Sequence, residues 1–491
     1  MMKKPIFILS LFLSLNCYAQ DIPALRLTVR EAVDIARVQS PDILAARHSF
    51  RASYWGYVYY KANYLPSLSF SSEPYFNHRI NSVNMPDGTM QYLEQNQLIT
   101  EGTFSLSQNI PWTGGTLSFN SSLQRMDMLG GSKSHTYMSV PVNVSYNQSL
   151  TGYNSLRWEK RIEPLRFQEA KQTYVEMMEL VAARAAMQFF NLARAQANLN
   201  IAKINFANAD TLYTIARGRY DIGTITENDM LSLEVKRLME ESNMMDALIE
   251  VDDYMQELRS YLGINDASLI EAVIEKEAPA FLIDYEKALS LALSNSPDIM
   301  DMELRLRGSE YAVARARSQS GIKAEIFAQF GLTQTGSDIS TSYRNPLDQQ
   351  YVRVGVHIPI LDWGRSKGQV QVAKSRNDME RIRVEQEMNT FEQNVAKIVK
   401  QFNQQLGKVD IAAKADVTAD RRNDVALKLY LLGKATILDL NTATTEKDAA
   451  KRSYVNALSS YWSLYYTLRS LTLYDFEKDI PLTEDFDLLL K

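Results

Sequence analysis

Two short stretches set a glycine, a hydroxyl and a carboxylate at the same spacing. RYDIGTITENDML (219–231) and LYLLGKATILDLN (429–441) align Tyr220 with Tyr430, Gly223 with Gly433, Thr226 with Thr436 and Asp229 with Asp439. The chemistry such a set can do is that of a helix reversal. Glycine permits a turn that a β-carbon would hinder. A threonine caps the next helix, and an aspartate in its first turn complements the helix dipole. Other residue types that carry chemistry are sparse. His48, His78, His135 and His357 are scattered without metal-ligand spacing, and there is no GxxxxGK[ST] phosphate loop. No catalytic group, no cofactor and no metal site is expected, so an enzyme is not. A formal charge of −5 leaves no basic footprint for nucleic acid.

The elements that hold these stretches are themselves written twice. SPDI occurs at 40–43 and at 296–299, an offset of 256, whereas the two reversals are offset by 210. Serine is a good N-cap, proline suits the first helical position and aspartate the first turn, so each SPDI starts a helix and ends a shorter one before it. VNVSY (142–146) and VRVGV (352–356) already align at 210. The first half therefore carries 46 extra residues, lying between about Asn77 and Tyr137.

Pro66 to Phe76 and Ala324 to Leu332 read as strands. So do the alternations Val140, Val142, Val144, Tyr146 and Val352, Val354, Val356, Ile358. TFSLSQNI and TLSFNSSL flank PWTGG as an extra hairpin. Each strand is near the ~9–11 residues that cross a bilayer when tilted; a soluble β-layer has the same alternation. Each half then reads short helix, helix, strand, loop, strand, very long helix, break, helix. The long helices, about Leu156 to Gly218 and Ser366 to Tyr430, span ~95 Å each. The shorter ones, Pro41 to Lys61 and Glu227 to Leu262, together approach one long helix, and end-to-end stacking beside it is the economical packing. Leu192, Leu199, Phe206 and Tyr213 recur every seven residues, with Ala195, Ala202, Ala209 and Ala216 three places later. That is a coiled-coil seam with one small position, which lets a neighbour approach closely. Met388, Phe391, Val395, Ile398 and Phe402 begin the same seam in the second half, which then meets Asp416 and Asn423.

MMKKPIFILSLFLSLNCYAQ reads as a secretory signal cut after Ala19, with Lys3 and Lys4 before an apolar core. Cys17 is the sole cysteine, and Asn16 before it fits a lipidation site poorly. The mature chain is then free of cysteine and disulfides. No later stretch approaches ~18 consecutive apolar residues, so entry into a membrane requires β-structure.

Four segments in order resemble the outer-membrane efflux family typified by TolC. They are SPDI, opening an early helix of each repeat; IPILDWGRSKGQVQVAKS (358–375), a strand-to-helix junction; YDIGTITENDML, a first tip; and YLLGKATILDLNTATTEKDAAKRSYVNALSSYW (430–462), a second tip with its helix. The resemblance runs from about Leu25 to Leu473. It implies a mainly α fold with a β-barrel part: a two-repeat chain whose coiled-coil helices form a periplasmic tunnel and which contributes about four strands to a trimeric barrel in the outer membrane. The expected division is 1–19 signal peptide, 20–275 first repeat, 276–475 second repeat and 476–491 tail. The implied function is the channel of a tripartite efflux or export system, partnered by a periplasmic adaptor (membrane fusion) protein, an inner-membrane pump of RND, ABC or MFS type, and outer-membrane lipid. Type I protein secretion and, in a different class, a periplasmic coiled-coil adaptor are the alternatives. The resemblance also gives roles. Asp229 matches an acid that bonds a tyrosine matching Tyr430 and holds the entrance shut, and Asp439 matches an acid that rings the entrance and favours cations. Thr442 stands where a second acid is found and Ala435 where an arginine of the closing network is found; Lys434 is a candidate substitute. Gly223, Thr226, Gly433 and Thr436 would form the tip turns that meet the adaptor. Capping alone remains the other account of the two aspartates.

Overall fold

A computed structural model describes residues 25–130, 133–265, 268–275, 279–432 and 434–490. The expected signal segment, Cys17 and Gly433 lie outside the described residues. The first half runs β1 (Leu25–Leu27), α1 (Val29–Gln39), α2 (Pro41–Ala62), β2 (Ser67–Ser72), β3 (Tyr75–Asn84), β4 (Met90–Ile110), β5 (Gly115–Met128), β6 (Ser134–Ser149), α3 (Ser155–Asp221) and α4 (Glu227–Leu262). It closes with β7 (Ile270–Ala272), and the second runs α5 (Tyr285–Asn295), α6 (Pro297–Ser320), β8 (Lys323–Gly336), α7 (Ile339–Ser342), β9 (Leu347–His357), α8 (Arg365–Leu431) and α9 (Ile437–Thr472). The chain ends in β10 (Tyr474–Asp475), β11 (Ile480–Pro481) and α10 (Phe486–Leu489). Both SPDI sites begin helices as expected. Ser296 accepts from the Asp298 N–H with Pro297 at the first turn, and the Ser40 hydroxyl accepts from the Ile43 N–H. α3 and α8 have 67 residues each, ~100 Å at 1.5 Å per residue.

The described chain packs as two compact units, and each repeat contributes to both. The first unit takes residues up to Leu44 together with Glu179–Leu282 and Gln401–Thr467. Its core follows the seam: Leu192 and Ala195 are fully buried and Ala202, Ala209 and Ala216 nearly so, while Leu199, Phe206 and Tyr213 are half-buried. Phe402 is fully buried against Tyr461 and Phe281, with ring centroids 5.2 and 5.3 Å away. β1 and β7 pair in parallel and tie the start of the first repeat to its end, in segments, LRL and IEA, too short to read as strands from sequence. α4 ends at Gly263, which has φ 71° and stands so close to Gln39 that a β-carbon would lie 2.8 Å from its carbonyl oxygen; both facts demand glycine there.

The second unit, Ala45–Met178, Ile283–Lys400 and Leu468–Lys491, holds the sheet. Its helices pack through aromatic rings: Tyr57 stacks on Phe167 at 4.5 Å, and Phe486 of the tail meets Phe50 at 5.2 Å. The sheet runs β2-β4-β5-β6-β8-β9, with β3 also on β4. The strand expected from Pro66 to Phe76 is divided. Ser72 pairs Gly102 and Tyr75 pairs Ile99, so β2 and β3 keep one register across Glu73 and Pro74. Proline has no N–H to give the ladder, which accounts for the gap. Seven strands thus fill six ladder positions. The mainly α fold with a β part stands, and the sheet holds two ladder positions more than the about four strands expected for the barrel. The reason is the 46-residue excess: β2/β3 matches β8 at offset 256 and β6 matches β9 at offset 210, leaving β4 and β5 without counterparts. β9 also stops at His357, before the expected Ile358, because Pro359 follows.

Candidate functional site at the helix reversals

Both reversals close by the same backbone bonds. The Thr224 N–H donates to the Arg219 carbonyl at 2.9 Å, and the Lys434 N–H to the Leu429 carbonyl at 2.9 Å. Gly223 has φ 73°, the left-handed geometry that ends a helix. The helices that follow open on matched caps. The Thr226 hydroxyl donates to Asp229 Oδ2 at 2.7 Å and accepts from the Asp229 N–H at 3.2 Å. The Thr436 hydroxyl donates to Asp439 Oδ2 at 2.6 Å, the Thr436 N–H donates to the same oxygen at 3.0 Å, and the hydroxyl accepts from the Asp439 N–H at 3.2 Å. These bonds, the hydroxyl first and the backbone second, hold the Asp439 carboxyl below its ordinary value. It therefore stays ionised into more acidic solution than a free aspartate.

Asp229 and Tyr430 are brought together without touching. Both line a cavity of about 410 Å³ with Arg219, Ser232, Ala435 and Thr436. Among the described residues no hydrogen bond joins them; Asp229 Oδ2 accepts from the N–H and hydroxyl of Thr226. Arg219, not Lys434, lines this cavity. Arg219 lies one residue before the repeated tyrosine, where the second repeat has Leu429; the alignment of identities passed over it because the two halves differ there. Thr442 stands apart, its hydroxyl donating to the Leu438 carbonyl at 2.8 Å.

Above the reversals the seam turns polar, and each polar group has a partner. Asn423, only 6% exposed, accepts at Oδ1 from the Thr444 hydroxyl at 3.0 Å. Lys451 donates to Asp416 at 3.1 Å. Here side chains also bond between the repeats: Lys236 to Asn441, Asn205 to Asp448 at 2.9 Å, and Arg452 to Asn198 at 3.0 Å. Buried polar groups that are mutually satisfied specify one register over its neighbours.

A chain with two such reversals, two 67-residue helices and an open antiparallel sheet is a two-repeat helix-and-sheet protein, and its relatives have the same form. It belongs to the outer membrane efflux protein family, whose model matches residues 107–264 and 288–472. It is 23% identical over 287 residues to the outer membrane efflux protein BepC of Brucella suis biovar 1 (strain 1330), a match that spans 56% of this chain and 59% of that relative. The CmeC outer membrane channel of Campylobacter jejuni shares its fold with a TM-score of 0.66 at 16% identity, over 94% of this chain and 88% of CmeC. The open-state MtrE outer membrane channel of Neisseria gonorrhoeae does so with a TM-score of 0.61 at 15% identity, over 93% and 90%.

Proposed function

We propose that this protein is the outer-membrane channel of a tripartite efflux or export system. The observation that carries the reading is the sheet. Its six ladder positions form an open path whose terminal strands, β2/β3 and β9, are unpaired with each other, and no helix among the described residues is long and apolar enough to cross a membrane. Open edges in a bilayer must be closed by further copies of the chain. Three copies do so in the homotrimer that the family resemblance implies, with α3, α4, α8 and α9 forming the tunnel wall. A periplasmic adaptor protein docks at the reversals around Gly223 and Thr226, Gly433 and Thr436, and an inner-membrane pump delivers the cargo. Asp439 supplies an acidic ring at the entrance beside Thr442. Asp229 and Tyr430, lining one cavity with Arg219, act as the closing contact when a neighbouring protomer completes it. A coiled-coil adaptor accounts for the helices but gives no use to an open sheet with an exposed apolar face.

Purified protein reconstituted in a planar bilayer is expected to give discrete cation-selective steps, and native mass spectrometry in detergent a trimer. A stable monomer without conductance would overturn the proposal.

A further inference from the structure

The hairpin of β4 and β5 has no counterpart in the second half, where β8 pairs directly with β9. An insertion of this kind can leave the sheet as an external loop or stay in it as two more staves. The side-chain faces decide between them. Following the pairing across the sheet, Leu68, Leu106, Phe119, Val144 and Phe330 stand in one row on one face. Leu68 is 71% exposed, Phe119 44% and Phe330 52%. The adjacent row on the opposite face reads Ser69, Ser105, Asn120, Asn143, Gly331 and Gln349. The hairpin follows this division as the strands beside it do, with Ser121 opposite Phe104 a polar residue on its apolar face and Gln350 of β9 ending the apolar row. Between its own two strands the polar face is tied by side chains: the Ser105 hydroxyl donates to Asn120 Oδ1 at 2.6 Å, the Ser107 and Ser118 hydroxyls meet at 3.2 Å, and the Thr116 hydroxyl donates to Asn109 Oδ1 at 3.1 Å.

Both ends of the hairpin fit the same frame. Its turn sits at the helix end of the sheet. Gln108 donates to the Tyr64 carbonyl at 3.0 Å, Asn109 to the Asn63 carbonyl at 3.0 Å and Asn154 to the Pro111 carbonyl at 2.6 Å. Trp112 in that turn is 85% exposed, and Trp363, at the junction of β9 and α8, is 90% exposed. Tryptophan at the rim of an apolar belt is what a membrane interface selects. β4 and β5, with 21 and 14 residues, exceed the ~9–11 needed to cross.

We infer that β4 and β5 are transmembrane staves, so that each protomer gives six strands to the barrel and three protomers close an eighteen-stranded pore. This rests on the trimeric channel proposed above. Six is even, so β9 of one copy runs antiparallel to β2/β3 of the next, and a head-to-tail ring closes. With strands ~4.8 Å apart and tilted ~40°, twelve give a backbone diameter of ~24 Å and eighteen ~36 Å. The wall of this wider pore is mostly serine, threonine, asparagine and glutamine, with Glu101, bonded by Thr103 and Gln124, and the Glu325–Arg353 pair as its charges. It is suited to large uncharged or amphipathic cargo, for which hydroxyls and amides replace water.

The test uses the full chain, whose only cysteine is Cys17, in single-cysteine form. Ser105→Cys and Ser118→Cys are expected to react with a charged, membrane-impermeant thiol reagent, and Leu106→Cys and Phe119→Cys to resist it. A fluorophore carried on the latter pair is expected to be quenched by acyl-chain nitroxide lipids. Deletion of 85–133 is expected to lower by about 1.5-fold the radius of polyethylene glycol that enters from the outer side. Equal aqueous reactivity of all four cysteines, or an unchanged polymer limit in the deletion, would make the hairpin an external loop and overturn the inference. Should the deletion fail to assemble, the cysteine pattern decides alone. Loss of conductance in the parent chain would overturn the channel reading instead, while lipid quenching at Phe119→Cys would still report the stave.

Discussion

Asp439 is both a cap and a charge, and the two roles can be separated by crossing two substitutions. Thr436→Ala removes the hydroxyl that donates to Asp439 Oδ2 at 2.6 Å and keeps the carboxylate. Asp439→Asn keeps an oxygen that can accept from Thr436 and removes the charge. Loss of a threonine cap costs about 1 kcal/mol, and three symmetric caps about 3 kcal/mol per trimer. Thr436→Ala should therefore lower the temperature of trimer dissociation by a few degrees while leaving the sign and size of the reversal potential in a salt gradient nearly intact. Asp439→Asn should do the reverse: little change in dissociation, and a reversal potential moved toward zero, most at low salt where the Debye length is long. The hydrogen bonds that hold the Asp439 carboxyl below its ordinary value add a second signature. Acidification should abolish selectivity at a higher pH in Thr436→Ala than in the parent, because the freed carboxyl protonates earlier. Equal shifts of reversal potential in both variants would mean that tip geometry, not the charge, sets selectivity, and would refute the acidic ring.

Three further outcomes are expected. Burial first, then the neighbouring Asp298 and Glu169, push the Glu176 carboxyl up to about 7 from 4.5; the folded state holds this proton more tightly than the unfolded chain, so stability falls as pH rises from about 4.5 to 7, by about 2 kcal/mol per protomer once partial solvent exposure is allowed for. Glu176→Gln should flatten that part of the dissociation profile and raise stability at pH 8 but not at pH 4; a parallel profile would refute it. Tyr430→Phe keeps the ring in the cavity it shares with Asp229 and should raise single-channel conductance without lowering trimer stability, whereas no change in it or in Asp229→Ala would reduce both residues to packing and capping. Phe402→Ala, at a fully buried ring, should cost about 3–5 kcal/mol in a denaturant titration of the helical unit; a loss under 1 kcal/mol would remove Phe402 from the core.

The helices were legible because their ends are written chemically. α4 runs from Glu227 to Leu262 as expected, its start marked by Thr226 and Asp229, and both long helices end within three residues of their expected limits. The offset arithmetic placed the insertion correctly because SPDI and the reversals are separate landmarks. The strand count was not legible. Half of β4, MQYLEQNQLI, has no strict alternation, and its pairing to β3 is a long-range fact of the ladder. Pro74 hid the converse, a single edge in two pieces. At the reversals the residue types gave the caps, since an N-cap is a four-residue motif. The cavity with Arg219 was missed because it joins residues about 210 apart that share no identity.

The proposed wide barrel and the proposed acidic ring at the reversals would divide the work of selection, and this division can be tested from the sheet side. Eighteen strands give a backbone radius of ~18 Å, longer than the Debye length of ~10 Å at 0.1 M salt. A charge placed on the wall is then screened before it reaches the axis. Ser118→Lys, on the polar face opposite Ser107, should barely move the reversal potential at 0.1 M. At 0.01 M the Debye length grows to ~30 Å and exceeds the radius, so the same lysine should oppose cations measurably. In a twelve-stranded barrel of ~12 Å radius, with side chains filling part of that distance, the lysine would act already at 0.1 M. A shift at 0.1 M comparable to that of Asp439→Asn would therefore refute the wide barrel and the assignment of selectivity to the reversals together, since both require a charge on the wall to be screened from the axis at that salt.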